Sequence, residues 1–261
     1  MTVSSGLIIG ICLPFLGTLL GSACVFFFKS FSLKASKILS GFAAGVMTAA
    51  SVWSLLIPSM EQSAAMGKWS FVPAVVGFLI GIAMMLAVDN LVPHIHANHE
   101  ETEGLKSGLS KKAKLFLAVT IHNFPEGMAV GVVLAANQVG DSLITVGAGI
   151  ALALGIAIQN FPEGAIISVP LAANGVKRKK AFLFGAFSGI VEPAGTILIL
   201  LAASFFVPVL PYFLSFAAGM MIYVVVEELV PEMSAGEHSN SGVVAFSLGF
   251  ALMMALDVAL A

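Results

Sequence analysis

Two copies of a six-residue polar motif interrupt otherwise apolar parts of the sequence. The first reads His-Asn-Phe-Pro-Glu-Gly at 122–127, and the second reads Gln-Asn-Phe-Pro-Glu-Gly at 159–164. On a helix, residues four apart share a face, so the first residue of each copy stands one turn from its glutamate. Imidazole, carboxylate and amide groups together form a donor set that suits Zn²⁺, Fe²⁺ or Mn²⁺. The candidate metal ligands in the two copies are His122, Asn123, Glu126, Gln159, Asn160 and Glu163.

The proline of each copy exposes a further donor atom. Without an N–H group it cannot bond to the carbonyl four residues earlier, which is that of Ile121 in one copy and of Ile158 in the other. In hydrocarbon such an oxygen needs water, protein or an ion. The glycine that ends each copy removes bulk, so a neighbouring backbone can approach the site. A third break, with an acid beside it, is expected at Glu192-Pro193.

The composition indicates that these motifs lie in a membrane protein. Of the 261 residues, 59% are hydrophobic and 10% are charged, and the mean hydropathy is +1.03. Such a chain cannot form a water-soluble core-and-shell protein. Apolar stretches of about 20 residues span the ~30 Å of bilayer hydrocarbon as helices. We predict an all-α polytopic membrane protein, a single transmembrane domain over 1–261, with eight spans near 6–28, 38–57, 71–92, 114–137, 142–170, 181–203, 206–231 and 242–261.

Three glutamates inside these spans have no fixed counter-charge. Glu126, Glu163 and Glu192 lie well within predicted spans, where a carboxylate costs at least ~2.5 kcal/mol and normally has a partner or faces a cavity. All twelve Lys and Arg residues are assigned to loops. Either the glutamates are protonated or their counter-charge comes from solution. A divalent cation would supply it, and the absence of Cys from the motifs argues against Cu⁺.

The basic residues also predict the orientation of the chain. Cytoplasmic loops carry the excess of Lys and Arg, and eleven of the twelve fall in odd-numbered loops, with Lys68 as the exception. Both termini are therefore expected outside the cytoplasm, with a mobile cytoplasmic linker at 97–113. The short loops suit an inner or plasma membrane. The expected partners are divalent metal ions and the lipid bilayer; the net charge of −2 gives no support to a nucleic-acid partner, and monomer and homodimer stay open.

The repeat itself predicts an architecture. Adjacent spans cross in opposite directions, so copies in spans four and five can be related by a pseudo-two-fold axis in the membrane plane. This is the pattern of transporters whose site lies at a repeat interface. With three spans on either side of the pair, we expect a 3+2+3 arrangement with inverted repeats.

The two motifs, the eight spans and the acidic, histidine-containing third loop resemble the ZIP (Zrt-, Irt-like) metal transporters, and in particular their GufA-like branch. The resemblance implies two ligand sets with bridging glutamates: His122, Glu126 and Glu163 for one ion, and Asn123, Asn160 and Glu192 for a neighbouring one. It also implies transport toward the cytoplasm by alternating access, in an elevator-like or rocking motion of the site-bearing helices against a scaffold. Zn²⁺ is the first expected substrate, with Fe²⁺, Mn²⁺ and Cd²⁺ as alternatives.

The sequence departs from the usual ZIP pattern in its second motif copy. Gln159 stands where many members have His, and Asn160 stands where some have Asp. Both changes lower donor strength or charge. A single ion held by His122, Glu126 and Glu163 is therefore expected in place of a fully occupied pair.

A second polar group lies near the predicted cytoplasmic boundary. It comprises Asp89, His94, His96, Glu227, Glu228, Glu232 and His238. By the same resemblance, Asp89, Glu228 and His238 form an exit site, with His94 and His96 as looser acceptors. Weaker and wetter ligands let an ion leave.

Polar residues on the outer side predict an entrance. Thr48, Ser51 and Ser54 recur every three residues in span two, and they form either an entrance or a close-packing face. Asp257, well inside span eight, is expected to have a partner on another helix.

Two other functions fit parts of the pattern. An intramembrane metallohydrolase would use bound metal to activate water, but the sequence contains no HExxH signature. A proton-coupled carrier of an organic cation would use the glutamates without metal, but the motifs supply Phe124 and Phe161 and no Trp or Tyr. The sequence therefore favours a metal transporter over an enzyme, with a divalent metal as substrate and no cofactor.

Overall fold

Long helices account for most of the chain. The computed structural model describes residues 3–94, 104–109, 111–138, 144–206 and 209–260. Its long helices are α1 (Val3–Ser22), α2 (Leu33–Gln62), α3 (Phe71–Leu91), α4 (Lys111–Gln138), α5 (Val146–Ala173), α6 (Arg178–Leu201), α7 (Leu210–Ser234) and α8 (Ser241–Leu260). Shorter helical pieces are Ala23–Phe26, Ala64–Trp69 and Ala203–Phe206. The all-α prediction is confirmed.

Within the described residues, seven helical stretches are long and apolar enough to cross a membrane, which confirms the polytopic character. They correspond to α1, α2, α3, α5, α6, α7 and α8. The remaining long helix, α4, has 28 residues, about 42 Å at the usual helical rise, and it carries the first motif copy near its middle. An eighth span at α4 stays a prediction.

Helix α2 begins five residues before its predicted span. Ser32 caps it, because its hydroxyl accepts a hydrogen bond from the Ala35 N–H at 3.2 Å. Lys34 and Lys37, assigned to a loop by their charge, therefore belong to the first turns of α2. Lys37 is buried, and its Nζ donates to the carbonyl of Glu237 at 2.5 Å. The ammonium group is thus held at the helix end and not at the motifs.

The other two groups of basic residues also start helices. Helix α4 begins at Lys111, inside the predicted linker 97–113, of which the structure describes 104–109 as non-helical. Arg178 starts α6. Lys114 stands twelve residues before Glu126, and Lys180 stands twelve before Glu192, which is about 18 Å of helix in each case. The central glutamates remain far along their helices from these cations.

The break in α6 lies at Gly189 and Ile190, and not at Glu192-Pro193 as predicted. These two residues form a turn between the halves Arg178–Ser188 and Val191–Leu201. Pro193 is the third residue of the second half, where a missing N–H leaves no helical bond unmade. Glu192 consequently lies in the first turn of that half, where the helix dipole favours a negative charge.

Two wide turns interrupt α2 and α7 at matching places. A π-helical turn spans Ser51–Leu56 in α2, and another spans Val225–Leu229 in α7. A proline follows each turn within two residues, Pro58 in α2 and Pro231 in α7. Because proline lacks an N–H, the preceding carbonyls are released and the turn widens. In α7 the widened turn carries two adjacent glutamates.

The helices pack in two groups of four. Helices α1, α4, α5 and α6 form the first group, in which α1 packs mainly on α5 and α4 on α6. Helices α2, α3, α7 and α8 form the second, in which α2 packs on α8 and α7, and α3 on α7. The two groups share an internal symmetry. If α1 is exchanged with α6, α2 with α7, α3 with α8 and α4 with α5, each group keeps the same four helices and the main helix–helix contacts stay the same. These contacts agree with inverted repeats around the central pair α4 and α5. The helices follow a 3+2+3 order along the sequence, but they pack as two groups of four.

Candidate metal-ion site

The two motif copies meet inside the first helix group. Glu126 on α4 and Gln159 on α5 are wholly buried, and the Gln159 Nε2 donates to Glu126 Oε1 at 2.6 Å. The predicted close approach of backbones at the motif glycines is confirmed. A Cβ at Gly127 would meet the Glu192 carbonyl of α6, and one at Gly164 would meet the Thr18 carbonyl of α1.

Helix α6 brings the third glutamate to the same place. Glu192 is wholly buried, and its Oε1 accepts hydrogen bonds from Asn123 Nδ2 at 2.9 Å and from Thr18 Oγ1 at 2.6 Å. Asn160 lies within reach of both Glu192 and Glu126. Four helices, α1, α4, α5 and α6, therefore hold one connected polar centre.

Several buried oxygens of this centre have no hydrogen-bond partner within the part of the chain that the structure describes. They are Asn123 Oδ1, Glu126 Oε2, Gln159 Oε1, Glu163 Oε2 and Glu192 Oε2. Leaving a buried polar group unsatisfied costs roughly 1–3 kcal/mol, and more for a charged one. The carboxylate of Glu126 is also close enough to those of Glu163 and Glu192 for like-charge repulsion. A cation among these oxygens would relieve both penalties.

The motif histidine does not face Glu126 or Glu163 in this arrangement. His122 is buried, and its Nδ1 pairs with Oε2 of Glu228 in the π turn of α7. His122 also belongs to a group with Asp89 on α3 and Glu227 on α7, whose ligand atoms all lie within 4.8 Å of one another. His122 thus links the first helix group to the acidic residues of the second.

The predicted exit residues are in part brought together here. Asp89 Oδ1 is 2.9 Å from His94 Nε2, and its Oδ2 accepts a hydrogen bond from the Tyr223 hydroxyl at 3.0 Å. Glu228 lies next to this group through its pair with His122. His238 is exposed between α7 and α8 and makes no hydrogen bond or ion pair within the described ranges. His96 lies outside the described residues.

Acidic side chains continue from the centre along α5 and α7. The carboxylate of Glu163 interacts electrostatically with those of Glu228, Glu192 and Glu232. Glu232, beyond the π turn of α7, accepts a hydrogen bond from Ser40 Oγ at 2.6 Å. Glu232 also lines a cavity of about 340 Å³ between the α1–α2 connection and the end of α5. Ser30, Ser36 and Asn174 add polar groups to that cavity.

The predicted entrance residues bond within their own helix or to a neighbour. Thr48 Oγ1 donates to the Ala44 carbonyl at 2.7 Å, and the buried Ser51 Oγ donates to the Met47 carbonyl at 2.8 Å. Ser54 Oγ donates to Asp257 Oδ2 at 3.0 Å, which is the partner on another helix expected for that acid. An entrance at Thr48 and Ser51 stays a prediction.

Sequence reasoning did not single out Thr18 and Tyr223, although each donates to an acid of the site. A signal that Asp89 has a donor on α7, though not which residue, existed in an internal repeat between α3 and α8. Residues 81–89 and 249–257 share Gly, Ala, Met, Ala and Asp at alternate positions, which makes Asp257 the counterpart of Asp89. A hydroxyl of α2 donates a hydrogen bond to Asp257, and a hydroxyl of α7 donates one to Asp89. Helices α2 and α7 also share the sequence Phe-Ala-Ala-Gly-x-Met, at 42–47 and 216–221. No comparable signal pointed to Thr18.

Comparison with known proteins shows which family this chain is similar to. A family model described as "ZIP Zinc transporter" matches residues 94–257. The chain is 36% identical to "Zinc transporter ZIP11" of Xenopus tropicalis, over 94% of this chain and 96% of that protein. It is 36% identical to "Zinc transporter ZIPB" of Bordetella bronchiseptica, over 94% and 78%, and 37% identical to "Zinc transporter GufA" of Myxococcus xanthus, over 80% of each.

Proposed function

Because the chain belongs to the ZIP family of zinc transporters, we propose that it carries divalent transition-metal ions across the bilayer, with Zn²⁺ as the first substrate. Fe²⁺, Mn²⁺ and Cd²⁺ are the alternatives that the same donors would accept. The relatives carry the names of transporters and not of enzymes, which favours this function over metal-assisted hydrolysis.

One observation carries the proposal. Five buried oxygens on three helices converge without hydrogen-bond partners among the described residues, and three of them belong to carboxylates that repel one another. A bound cation would satisfy these oxygens and offset the repulsion between the carboxylates. The carboxylates of Glu126, Glu163 and Glu192 would supply the charge, and the amides of Asn123 and Gln159 would supply neutral oxygens. Asn160, between two of the acids, would complete the set.

His122 would serve the ion in two positions. Facing Glu126 and Glu163 it would be a ligand of the central site, as the motif spacing predicts. Facing Glu228 and Asp89, as in the structure described above, it would accompany the ion toward α3 and α7. An ion moving that way approaches the helix ends where the basic residues predict the cytoplasm. His94, which pairs with Asp89, would then be a looser acceptor of the ion. By the family resemblance, His96 would be another looser acceptor and His238 an exit ligand.

In this proposal, one helix group moves relative to the other during transport. The central ligands belong to α4, α5 and α6 of the first group, whereas the exit ligands belong to α3 and α7 of the second. Alternating access would change which acidic residues lie within reach of His122. We also propose that both termini lie outside the cytoplasm and that the membrane is the inner or plasma membrane. A homodimer is compatible with this scheme.

The test is element-resolved metal analysis of cells that make the wild-type chain, Glu163→Ala or His122→Ala, with competing divalent metals in the medium. We expect the wild type to accumulate zinc above all, and both variants to match cells without the protein. Ser247→Ala is the control, because this exposed hydroxyl bonds only to the Val243 carbonyl of its own helix. Membrane abundance is measured for every variant. Wild-type accumulation in both site variants would rule the proposal out.

A further inference from the structure

A large apolar cavity opens at the seam between the two helix groups. Its volume is about 560 Å³, within the range of roughly 300–1,000 Å³ typical of ligand sites. Helices α3 and α7 of the second group form one wall, and α4 and α6 of the first group form the other. The wall of the second group consists of Met84, Met85, Val88, Phe216 and Met220. Phe124 and Pro125 of the first motif copy lie in the opposite wall.

Water is a poor occupant of this cavity. Among its lining residues Thr120 alone has a polar side chain, and that hydroxyl already donates to the Phe116 carbonyl at 2.7 Å. A water molecule needs two to four polar partners, and apolar cavities without them stay dry. An empty cavity of this size would forfeit the dispersion contacts of every residue that lines it. An apolar occupant removes that loss.

The mouth of the cavity is continuous with the surface that faces lipid. Met84 on α3 is 50% exposed and Leu198 on α6 is 53% exposed, and both line the cavity. These two helices are among those long and apolar enough to cross a membrane. In a bilayer, the medium at this mouth is therefore hydrocarbon and not water.

We propose that an acyl chain of a membrane lipid occupies this seam cavity. The chain would enter between Met84 and Leu198 and lie against the back of the motif, with Phe124 and Pro125 between it and the metal ligands. Its walls belong to the two groups whose relative movement the proposed function requires. The acyl chain would thus be compressed or expelled when the groups shift, and lipid chain length and unsaturation would set the rate of transport. This last step rests on the proposed function; the binding itself does not.

The binding test uses purified wild-type protein in bilayers that contain a phosphatidylcholine with a photoactivatable diazirine in one acyl chain. Labelled peptides are mapped by mass spectrometry. We expect labelling of the cavity walls on α3, α4, α6 and α7 well above that of the exposed α8 positions Leu248 and Leu252. Equal labelling of the cavity and of α8 would overturn the proposal. Cross-links from the cavity to a second copy of the chain would also overturn it, since the seam would then be a subunit interface.

A matched pair of variants distinguishes the effect of filling the cavity from the effect of adding a large side chain elsewhere. Ala202→Trp fills the cavity from the residue that directly follows α6, whereas Ala251→Trp adds the same group to an exposed position of α8. We expect Ala202→Trp to reduce cavity labelling to the level of α8 and to make the zinc uptake rate insensitive to lipid chain length. Ala251→Trp should change neither. Should Ala202→Trp fail to fold, the wild-type labelling map alone decides the matter. Cavity labelling without zinc uptake by the wild type would sink the proposed function and leave the lipid site standing.

Discussion

The two motif copies have nearly the same sequence, but their side chains point to different parts of the molecule. In the α5 copy, Gln159 donates to Glu126 and so stays inside the first helix group. In the α4 copy, His122 pairs with Glu228 of α7 and so bridges to the second group. The copies thus differ in their contacts at the residue where they differ in sequence. The amide copy holds the centre together, and the imidazole copy connects the centre to its neighbour.

Chemistry explains why the two residues are not interchangeable. A neutral amide carries both a donor and an acceptor, and the Gln159 NH₂ group suits a fixed hydrogen bond to Glu126. An imidazole is also a good ligand for first-row metals and can carry a positive charge beside Glu228. The pairing of His122 away from Glu126 leaves the central oxygens to the ion, and it presents a nitrogen ligand where an ion would leave. Three predictions test this division.

The largest effect is expected from the glutamates that the copies share. Glu126→Gln and Glu163→Gln keep the shape of the side chain but remove one negative charge each, so both should abolish metal binding. Zinc at 100 times its Kd should stabilise the purified wild type by about 2.7 kcal/mol. Both variants should lose this stabilisation in thermal unfolding with and without zinc. Their metal-free forms should unfold at a higher temperature than the wild type, because each variant removes the cost of burying an ionisable carboxyl group and its repulsion by neighbouring acids. Retained stabilisation in one variant only would show that the copies do not share the ion.

A smaller effect is expected from exchanging the first residues of the copies. His122→Gln should weaken zinc affinity by about 10–100-fold, the range found when groups that support a metal site are removed. The double variant His122→Gln with Gln159→His again has one imidazole in the two motif copies, but on α5 and not on α4. We expect it to stay as weak as His122→Gln, because Glu228 and Asp89 lie beside α4. Isothermal titration with zinc is the measurement. Wild-type affinity in the double variant would mean that either copy can bridge the groups.

Sequence reasoning predicted the helices and singled out the polar residues that meet at the centre, but it did not predict several partners that orient them. The near-repeat was sufficient to predict that α4 and α5 pair and bring the two motif copies together, but the Gln159–Glu126 hydrogen bond was not predicted. The near-repeat could not assign His122 to Glu228, because that contact joins helices about a hundred residues apart in sequence. The start of α2 was missed for a local reason: Lys37 was read as a loop charge, whereas its long side chain reaches the Glu237 carbonyl from within the helix.

The smallest effect is expected from two hydroxyls of α1, each of which supports a different motif copy. Thr18 donates to Glu192 at 2.6 Å and thereby orients the acid that Asn123 of the first copy also contacts. Ser22, one turn further on, donates to the Gly164 carbonyl of the second copy at the longer distance of 3.4 Å. Thr18→Val keeps the side-chain volume and should weaken zinc affinity by roughly tenfold, since a buried carboxylate loses a short hydrogen bond. Ser22→Ala should change it by no more than about twofold, because a long bond to a carbonyl contributes about 0.5 kcal/mol. Equal losses in the two variants, measured by zinc titration, would mean that α1 supports both copies alike and that the asymmetry between them resides in His122 alone.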